Sequence, residues 1–190
     1  MLSRRGFLTG AAALAALPYA TAQAHAAAVM TEDGIYRQPW FIDSLLELAD
    51  DLDTAAGKNK RFLMMWELKG CPYCRDTHLI NFARADIESY VKERFDVLQL
   101  NIRGDREVTD FDGEKLPEKK LAQKYGLRGT PSFQFFPERS AGLGAKAPRE
   151  REVLRMQGYL EPDAFKRMFV FVAERAYERG SFRDYLRTQG

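Results

Sequence analysis

The two cysteines of the chain, Cys71 and Cys74, stand two residues apart in the run Gly70-Cys71-Pro72-Tyr73-Cys74. The pair follows a continuous apolar run from Phe62 to Trp66 and precedes a helix-like segment from Arg75 to Glu88. A helix N-terminus carries unpaired backbone N–H groups and the positive end of the helix dipole, so it stabilises a thiolate placed there. A strand, a C-x-x-C pair and a helix in this order therefore predict a redox-active dithiol.

Two other chemistries use paired cysteines, and the surrounding sequence counts against both. Covalent haem attachment needs a histidine directly after the second cysteine, where this chain has Arg75. A structural zinc site needs four Cys or His ligands, and besides the two cysteines the chain offers His25, which falls in a predicted export signal, and His78. We therefore expect no metal and no organic cofactor, and the redox group is the Cys71–Cys74 disulfide itself.

Residues 1–26 are typical of an export signal. The run Ser3-Arg4-Arg5-Gly6-Phe7-Leu8 precedes an Ala/Leu stretch from Ala11 to Leu17, and two A-x-A sequences of the kind that signal peptidase cleaves follow within residues 22–26. The paired arginines resemble a twin-arginine signal, with an ordinary Sec signal as the alternative, and either would export the protein. The apolar stretch is shorter than the ~20 residues that span a bilayer, so we expect no membrane insertion and a periplasmic location.

The remaining chain, residues 27–190, has the size of one domain. Apolar residues make up 45% of the 190-residue sequence, which is enough to bury a core without disulfide staples. The net charge of +2 comes from Arg4 and Arg5, because without them the 29 basic residues fall to 27, equal to the 27 acidic ones. Neither a nucleic-acid partner nor an anionic membrane surface is therefore expected.

Hydrophobic periodicity predicts alternating helices and strands with one inserted hairpin. The predicted helices cover 39–54, 72–92, 117–125 and 162–179, and the predicted strands cover 62–66, 95–102, 132–136 and 152–157. Residues 31–38 are expected to form an extended lead-in, residues 103–116 a hairpin or loop, residues 140–149 a loop, and residues 181–190 a short tail. This order is typical of an α/β protein with a mixed sheet.

Three separated motifs resemble those of the thioredoxin superfamily. They are Cys71-Pro72-Tyr73-Cys74 after a strand, Gly129-Thr130-Pro131 before a later strand, and Gly158 after the last strand. The resemblance covers residues 36–180 and implies a thioredoxin fold, in which helices flank a central mixed sheet, here with an extra N-terminal helix and a small insertion before the cis-proline helix. Pro-Tyr between the cysteines is also the usual glutaredoxin dipeptide, but the Gly-Gly-x-Asp glutathione pattern of glutaredoxins is absent.

Within the superfamily the chain is most similar to the SoxW-type periplasmic thioredoxins of bacterial sulfur-oxidation systems. The likeness rests on Trp66-Glu67 before the cysteines, on His78 in the following helix, and on the insertion from Asn101-Ile102 to Asp112-Gly113. It implies a protein-disulfide reductase that a membrane thiol transporter keeps reduced, with periplasmic protein disulfides as substrates and sulfur-oxidation carrier proteins among them. We then expect a reduction potential below about −200 mV.

The residues of the cysteine motif receive unequal roles. Thiol–disulfide exchange needs one thiolate to attack and a second thiol to resolve the mixed disulfide. Cys71 lies at the helix start and is predicted to attack, while Cys74 lies one turn inside and is predicted to resolve. Pro72 limits the loop, and Tyr73 offers an aromatic surface or is simply an exposed ring.

Four further residues are candidates for supporting roles. The resemblance implies that Pro131 is cis and faces the cysteines, with the Thr130 backbone free to pair with an extended substrate. Glu67 is a candidate proton acceptor for Cys74 or else an exposed carboxylate; the position where thioredoxins usually keep a buried Asp is Met65 here. His78 shares a helical face with both cysteines and could tune the thiolate, although a surface position is favoured.

The same cysteines leave three other functions open. The motif also serves disulfide oxidases and isomerases, which differ from reductases in reduction potential. A copper chaperone could use Cys71, Cys74 and His78 as soft ligands on one helix face. A thiol peroxidase would use Cys71 against peroxide instead of disulfides.

Overall fold

The computed structural model describes residues 27–188, and the predicted export signal, residues 1–26, lies outside the described residues. In this part of the chain the strands are β1 (Val29–Met30), β2 (Tyr36–Arg37), β3 (Arg61–Glu67), β4 (Phe95–Asn101), β5 (Glu107–Thr109), β6 (Lys115–Pro117), β7 (Ser132–Phe135) and β8 (Leu154–Gln157). The α-helices are α1 (Leu48–Gly57), α2 (Pro72–Asp76), α3 (Ala85–Arg94), α4 (Glu118–Lys124), α5 (Pro162–Ala173) and α6 (Phe182–Thr188).

The central sheet has the strand order β4-β3-β7-β8. Strand β3 pairs in parallel with β4, from Arg61 opposite Phe95 to Glu67 opposite Asn101, and antiparallel with β7. Strand β7 pairs antiparallel with β8. The mixed α/β sheet of the thioredoxin fold is thus confirmed. Because β3 has a neighbour on each side and helices on both faces, it is buried along its whole length, as its continuous apolar run predicts.

Two apolar cores lie on opposite faces of this sheet. Because successive side chains of β3 point to opposite faces, this strand contributes residues to both cores. Leu63 and Met65 pack with an aromatic-rich core that joins the sheet to α3, α5 and α6. Phe62, Met64 and Trp66 pack into the core under α1 and α4. Packing on both faces of the sheet therefore positions β3. It also positions the loop at the carboxyl end of β3, which carries the cysteines.

Two hairpins lie outside the central sheet. Strands β5 and β6 pair antiparallel between β4 and α4, which confirms the inserted hairpin predicted at residues 103–116. The N-terminal lead-in is also a hairpin: β1 pairs with β2, with Met30 opposite Tyr36 and Val29 opposite Arg37. Its turn is closed by hydrogen bonds between Thr31 and Ile35.

The N-terminal helix is shorter than predicted. Helix α1 starts at Leu48, so the prediction of a helix from residue 39 is wrong for residues 39–47. The Ser44 hydroxyl accepts the Leu46 N–H at 2.7 Å and donates to Asp51 at 2.5 Å, and Leu46 has a φ of 64°. Leu45, an apolar residue in this non-helical stretch, is 93% exposed. A serine that bonds nearby backbone groups offers the chain an alternative to the helix, and here that alternative is adopted.

The predicted helix over residues 72–92 is divided into three pieces. Helix α2 ends at Asp76, a π-helical turn follows at Thr77–Asn81, and α3 begins only at Ala85. Arg84 interrupts the helical path because its backbone is extended, with φ −75° and ψ 120°. The interruption separates the cysteine-bearing turn from the longer helix that packs on the sheet.

The C-terminal end also differs from the prediction. Helix α5 ends at Ala173, because Arg175 adopts a φ of 54°, which an α-helix cannot accommodate. The predicted tail over 181–190 is helical from Phe182 to Thr188, and its Phe182 ring packs on Phe171 with the ring centres 5.3 Å apart. Across residues 27–188, no helix combines the length and apolar character that crossing a bilayer requires.

Candidate active site at the Cys71–Cys74 disulfide

Cys71 and Cys74 are joined as a disulfide at the N-terminus of α2, with their Cα atoms 5.3 Å apart. Cys71 is the residue that caps the helix, and the backbone N–H of Cys74 donates to its Sγ at 3.1 Å. Pro72 occupies the first helical position, where its missing N–H removes a donor that would have no partner. Cys71 is partly exposed whereas Cys74 is 4% exposed, so an incoming group can reach the first sulfur more readily than the second.

The loop before β7 faces the first sulfur. The Thr130–Pro131 peptide bond is cis, as the resemblance implies, and the Thr130 carbonyl oxygen lies 3.6 Å from Cys71 Sγ. The Gly158 N–H donates to the Pro131 carbonyl at 2.8 Å. The three motifs that are separated in the sequence therefore meet at one end of the sheet.

Tyr73 forms an aromatic platform beside the disulfide. Its ring is 58% exposed and stacks on Tyr159, with ring centres 6.0 Å apart and an angle of 20° between the planes. The Tyr159 hydroxyl donates to Asn81 Oδ1 at 3.1 Å, and the Asn81 amide donates to the Leu160 carbonyl at 2.9 Å. Sequence reasoning missed Tyr159 and Asn81; the position of Tyr159 directly after Gly158 was the available signal.

Glu67 and His78 form a buried pair beneath this end of the sheet. Both side chains are fully buried, and His78 Nε2 lies 3.0 and 3.1 Å from the two carboxylate oxygens. The Gln99 side-chain amide also donates to the carboxylate. The favoured surface position for His78 is therefore wrong: the π-helical turn and the neighbouring Phe41 and Phe82 rings enclose it. The exposed alternative for Glu67 is also excluded.

Gln38 fixes which nitrogen of His78 carries the proton. The Gln38 amide nitrogen lies 3.3 Å from His78 Nδ1 and 3.2 Å from the His78 carbonyl oxygen. An amide nitrogen can only donate, so Nδ1 accepts and the ring proton of the neutral histidine lies on Nε2, facing Glu67. Gln38 and Gln99 are the site residues that the sequence did not indicate, because both join the site through contacts between segments far apart in the chain.

The family follows from a comparison with known domains. A family model described as a thioredoxin-like domain matches residues 48–173, which is more than half of the chain. The chain belongs to the thioredoxin-like family. No curated protein sequence matches this thioredoxin-like chain.

The solved structures to which this thioredoxin-like protein is similar are distant from it in sequence. A thioredoxin-fold protein from Helicobacter pylori is 18% identical, with a TM-score of 0.51 over 74% of this chain and 90% of that chain. A thioredoxin from Thermus thermophilus is 21% identical, with a TM-score of 0.47 over 66% of this chain and 83% of that chain. The C-terminal domain of DsbD from Neisseria meningitidis, in its oxidised form, is 20% identical, with a TM-score of 0.43 over 68% of this chain and 95% of that chain. At such identities the first likeness supports the fold alone.

A thioredoxin-like domain with a disulfide-forming C-x-x-C pair supports a thiol–disulfide oxidoreductase. The copper-binding alternative requires His78 to face the sulfurs, whereas both of its ring nitrogens contact Glu67 and Gln38. Within residues 27–188, no three His, Cys, Asp or Glu side chains are grouped so as to hold a metal ion. This thioredoxin-like site thus combines a disulfide at a helix start with a buried acid at the end of the strand that leads into the cysteine loop.

Proposed function

We propose that the chain is an exported thiol–disulfide oxidoreductase that reduces disulfides in periplasmic proteins. The observation that carries the proposal is the unequal pair of sulfurs: Cys71 is partly exposed at the helix start beside the cis-proline loop, and Cys74 is buried behind it. This arrangement suits a first thiol that meets a protein substrate and a second that reacts only within the chain. The Thr130 backbone, next to Cys71, is placed to pair with an extended substrate segment.

The reaction transfers two electrons in two exchange steps. In the reduced protein the Cys71 thiolate attacks one sulfur of the client disulfide, and the other client sulfur leaves as a thiolate and takes up a proton. Cys74 then loses its proton to Glu67 and attacks the Cys71 sulfur of the mixed disulfide. The second client thiol leaves with that proton, the client is reduced, and the protein holds the Cys71–Cys74 disulfide.

Glu67 is the base that we propose for the second step. It is buried without an Arg or Lys partner in its described contacts, which are His78 and Gln99. Glu67 is the last residue of β3, the strand that leads into the cysteine loop, and its partner His78 lies in the π-helical turn that follows the cysteine-bearing helix. Because His78 Nε2 contacts both carboxylate oxygens, it holds Glu67 in place during the proposed proton transfer.

The contacts of Cys71 favour the reducing direction. A disulfide becomes a strong oxidant when the protein stabilises the reduced, thiolate form. The described contacts of Cys71 Sγ are one backbone N–H and one carbonyl oxygen, with no cationic side chain among them. Among the described residues no cationic side chain adds to the helix N-terminus in stabilising a thiolate at Cys71, which supports a reductase and not a strong oxidant.

The resemblance to SoxW-type thioredoxins extends the proposal to partners. A membrane thiol transporter would return electrons to the Cys71–Cys74 disulfide, and sulfur-oxidation carrier proteins would be among the clients. Export by the twin-arginine route rests on residues 1–26. Replacing both Arg4 and Arg5 by Lys should retain the protein in the cytoplasm, and unchanged export would favour a Sec signal.

Insulin reduction with dithiothreitol as the electron source tests the activity. We expect turnover by the wild-type protein, none by Cys71→Ser, and a trapped mixed disulfide at Cys71 in Cys74→Ser. A redox titration tests the direction: a potential below about −200 mV supports a reductase, and one near the −120 mV of a strong oxidant would contradict it. Mass spectrometry of the proteins trapped by Cys74→Ser in periplasmic extracts would identify the clients.

A further inference from the structure

A cavity of about 500 Å³ opens directly beside the disulfide, on the side formed by the N-terminal hairpin. Its walls come from two parts of the chain. The hairpin contributes Met30, Gly34, Ile35 and Tyr36, and the cysteine loop contributes Leu68, Lys69, Gly70, Cys71, Pro72, Cys74 and Arg75. Thr130 and Pro131 do not line it, so it is distinct from the groove beside the cis-proline loop.

The hairpin wall is held in place by the same residues that organise the site. The Tyr36 carbonyl accepts a hydrogen bond from the Gln99 amide at 2.5 Å, and Gln99 also contacts Glu67. The next residue, Arg37, donates to the carbonyls of Phe41 and Ile42 at 3.1 and 3.0 Å. The cavity is therefore formed before any substrate binds, which lowers the entropy lost on binding.

The lining is mostly apolar, with one available cation at the rim. Met30 keeps 54% of its surface exposed although it is a large apolar side chain. The aliphatic part of Lys69 lies across Gly34, where an added Cβ would come within 3.0 Å of Lys69 Cε. Among residues 27–188, Arg75 is bound by Asp76 at 2.8 Å, whereas Lys69 forms no ion pair.

We infer that this cavity is a subsite for a client segment whose reactive cysteine is flanked by a large apolar side chain and an acidic one. The inference rests on the proposed function, because the mixed disulfide at Cys71 delivers the client to the cavity that Cys71 lines. The volume accommodates one or two side chains next to the client cysteine. The apolar walls take the apolar side chain, and the Lys69 ammonium pairs with the acidic one.

Peptide disulfides test the subsite. Three symmetric disulfides are compared, formed from the peptides Glu-Leu-Cys-Leu-Glu, Glu-Gly-Cys-Gly-Glu and Lys-Leu-Cys-Leu-Lys with blocked termini. The rate constant for reduction by the fully reduced protein is measured by chromatography of the released thiol peptide. Each value is divided by the rate with dithiothreitol, which removes differences in intrinsic disulfide reactivity.

For the wild-type protein we expect the disulfide of Glu-Leu-Cys-Leu-Glu to react about tenfold faster than that of Glu-Gly-Cys-Gly-Glu. This ratio, the Leu-to-Gly ratio, is at the low end of the discrimination that apolar pockets provide. We expect the acidic Leu peptide to react about threefold faster than the basic one, as for an exposed ion pair, and Lys69→Glu to reverse only this second preference. Equal normalised rates for the Leu and Gly peptides would overturn the subsite.

Met30 and Val29 provide a matched pair of variants. They are adjacent on β1 and similarly exposed, at 54% and 51%, but only Met30 lines the cavity. Met30→Glu should reduce the Leu-to-Gly ratio of rate constants to about one. Met30→Ala should give a ratio between one and the wild-type value, and Val29→Glu should keep the wild-type ratio. If Val29→Glu abolishes the ratio as completely as Met30→Glu, the effect arises from the hairpin as a whole and the inference is wrong.

Other occupants give different results. A dimer in sedimentation that Met30→Glu dissociates would mean that a second copy fills the cavity. That result overturns the inference. The peptide rates are measured on protein that lacks residues 1–26, so that the predicted export signal cannot occupy the cavity. If the protein reduces neither the peptides nor bis(2-hydroxyethyl) disulfide, the proposed function itself fails; if it reduces all of them without preference, only the subsite fails.

Discussion

Two buried carboxylates, Glu67 and Asp110, have opposite surroundings. Asp110 contacts Lys124 at 2.6 Å and Arg151 at 2.8 Å, and it also accepts from the Tyr125 hydroxyl at 2.8 Å. Glu67 contacts only His78 and Gln99 among the described side chains. Asp110 therefore belongs to a cluster of ion pairs, whereas Glu67, the base proposed above, contacts a histidine and an amide. The two acids are both buried, so their partners, and not their burial, distinguish the structural carboxylate from the proposed base.

The largest expected effect on stability comes from the Asp110 cluster. Asp110→Asn removes the negative charge that faces Arg151 and Lys124, and Arg151 is itself buried. Removing one partner of a buried ion pair costs about 3–5 kcal/mol, so we expect the free energy of unfolding to fall by about 3 kcal/mol or more. Urea unfolding of the reduced and oxidised proteins measures this change. A free energy of unfolding close to that of the wild-type protein would contradict the structural role assigned to Asp110. As a control, we expect the reduction potential of the folded variant to be unchanged.

Glu67→Gln should have the converse effect. Glutamine keeps the shape and one acceptor oxygen, but its NH2 group faces the donors of His78 and Gln99, so we expect a loss of stability of about 1–3 kcal/mol, smaller than that of Asp110→Asn. Insulin reduction should slow by about 10²-fold, the low end for losing a general base, with formation of the mixed disulfide unaffected and its resolution slowed. Quenched-flow analysis of the mixed disulfide separates these steps. If both steps slow equally, Glu67 acts on the structure of the site and not as the base.

A smaller loss of stability is expected from Tyr125→Phe. Burial raises the pKa of Tyr125 well above its ordinary value, so the hydroxyl remains protonated and donates to Asp110. Removing one such hydrogen bond to a charged group costs about 1.5–3 kcal/mol, and Asp110 retains both cations, so the lower figure applies. Thermal unfolding measures the change, and a loss as large as that of Asp110→Asn would show that the hydroxyl, not the charges, stabilises the cluster.

The smallest effect is a pH dependence at Asp112. Burial acts to raise the pKa of its carboxyl, but hydrogen bonds from Lys124 and Arg151 outweigh it and hold the pKa well below the ordinary 3.8. Below pH 3.8 the unfolded chain therefore binds the proton first, and the stability from Asp112 is lost as the pH falls further. Asp112→Asn should flatten the fall in stability below pH 4 relative to the wild-type protein. Urea midpoints between pH 7 and pH 2.5 test this difference.

Local sequence signals predicted the parts of the fold that depend on neighbouring residues. The apolar run before the cysteines predicted β3, and the C-x-x-C pair predicted the disulfide at a helix start. The boundaries failed where one side chain redirected the backbone, as Ser44 does before α1. His78 was predicted at the surface because histidines are often partly exposed, whereas the π-helical turn that carries it is packed so that its ring is buried against Glu67. Gln38 and Gln99 could not be found, because amides carry no motif and join Glu67 only through the tertiary fold.

The π-helical turn at Thr77–Asn81 also sets the rotational phase of the residues after it. Such a turn holds one residue more than the α-helix it interrupts, so side chains beyond it are rotated by about 100° from where an unbroken helix would place them. Asn81, which holds the loop of Tyr159, occupies the last position of this turn. Deleting Leu79 or Ile80, whose side chains are exposed, would restore an ordinary helix while turning Asn81 away from that loop. We therefore expect the aromatic platform beside the disulfide to depend on a single extra residue in the helix.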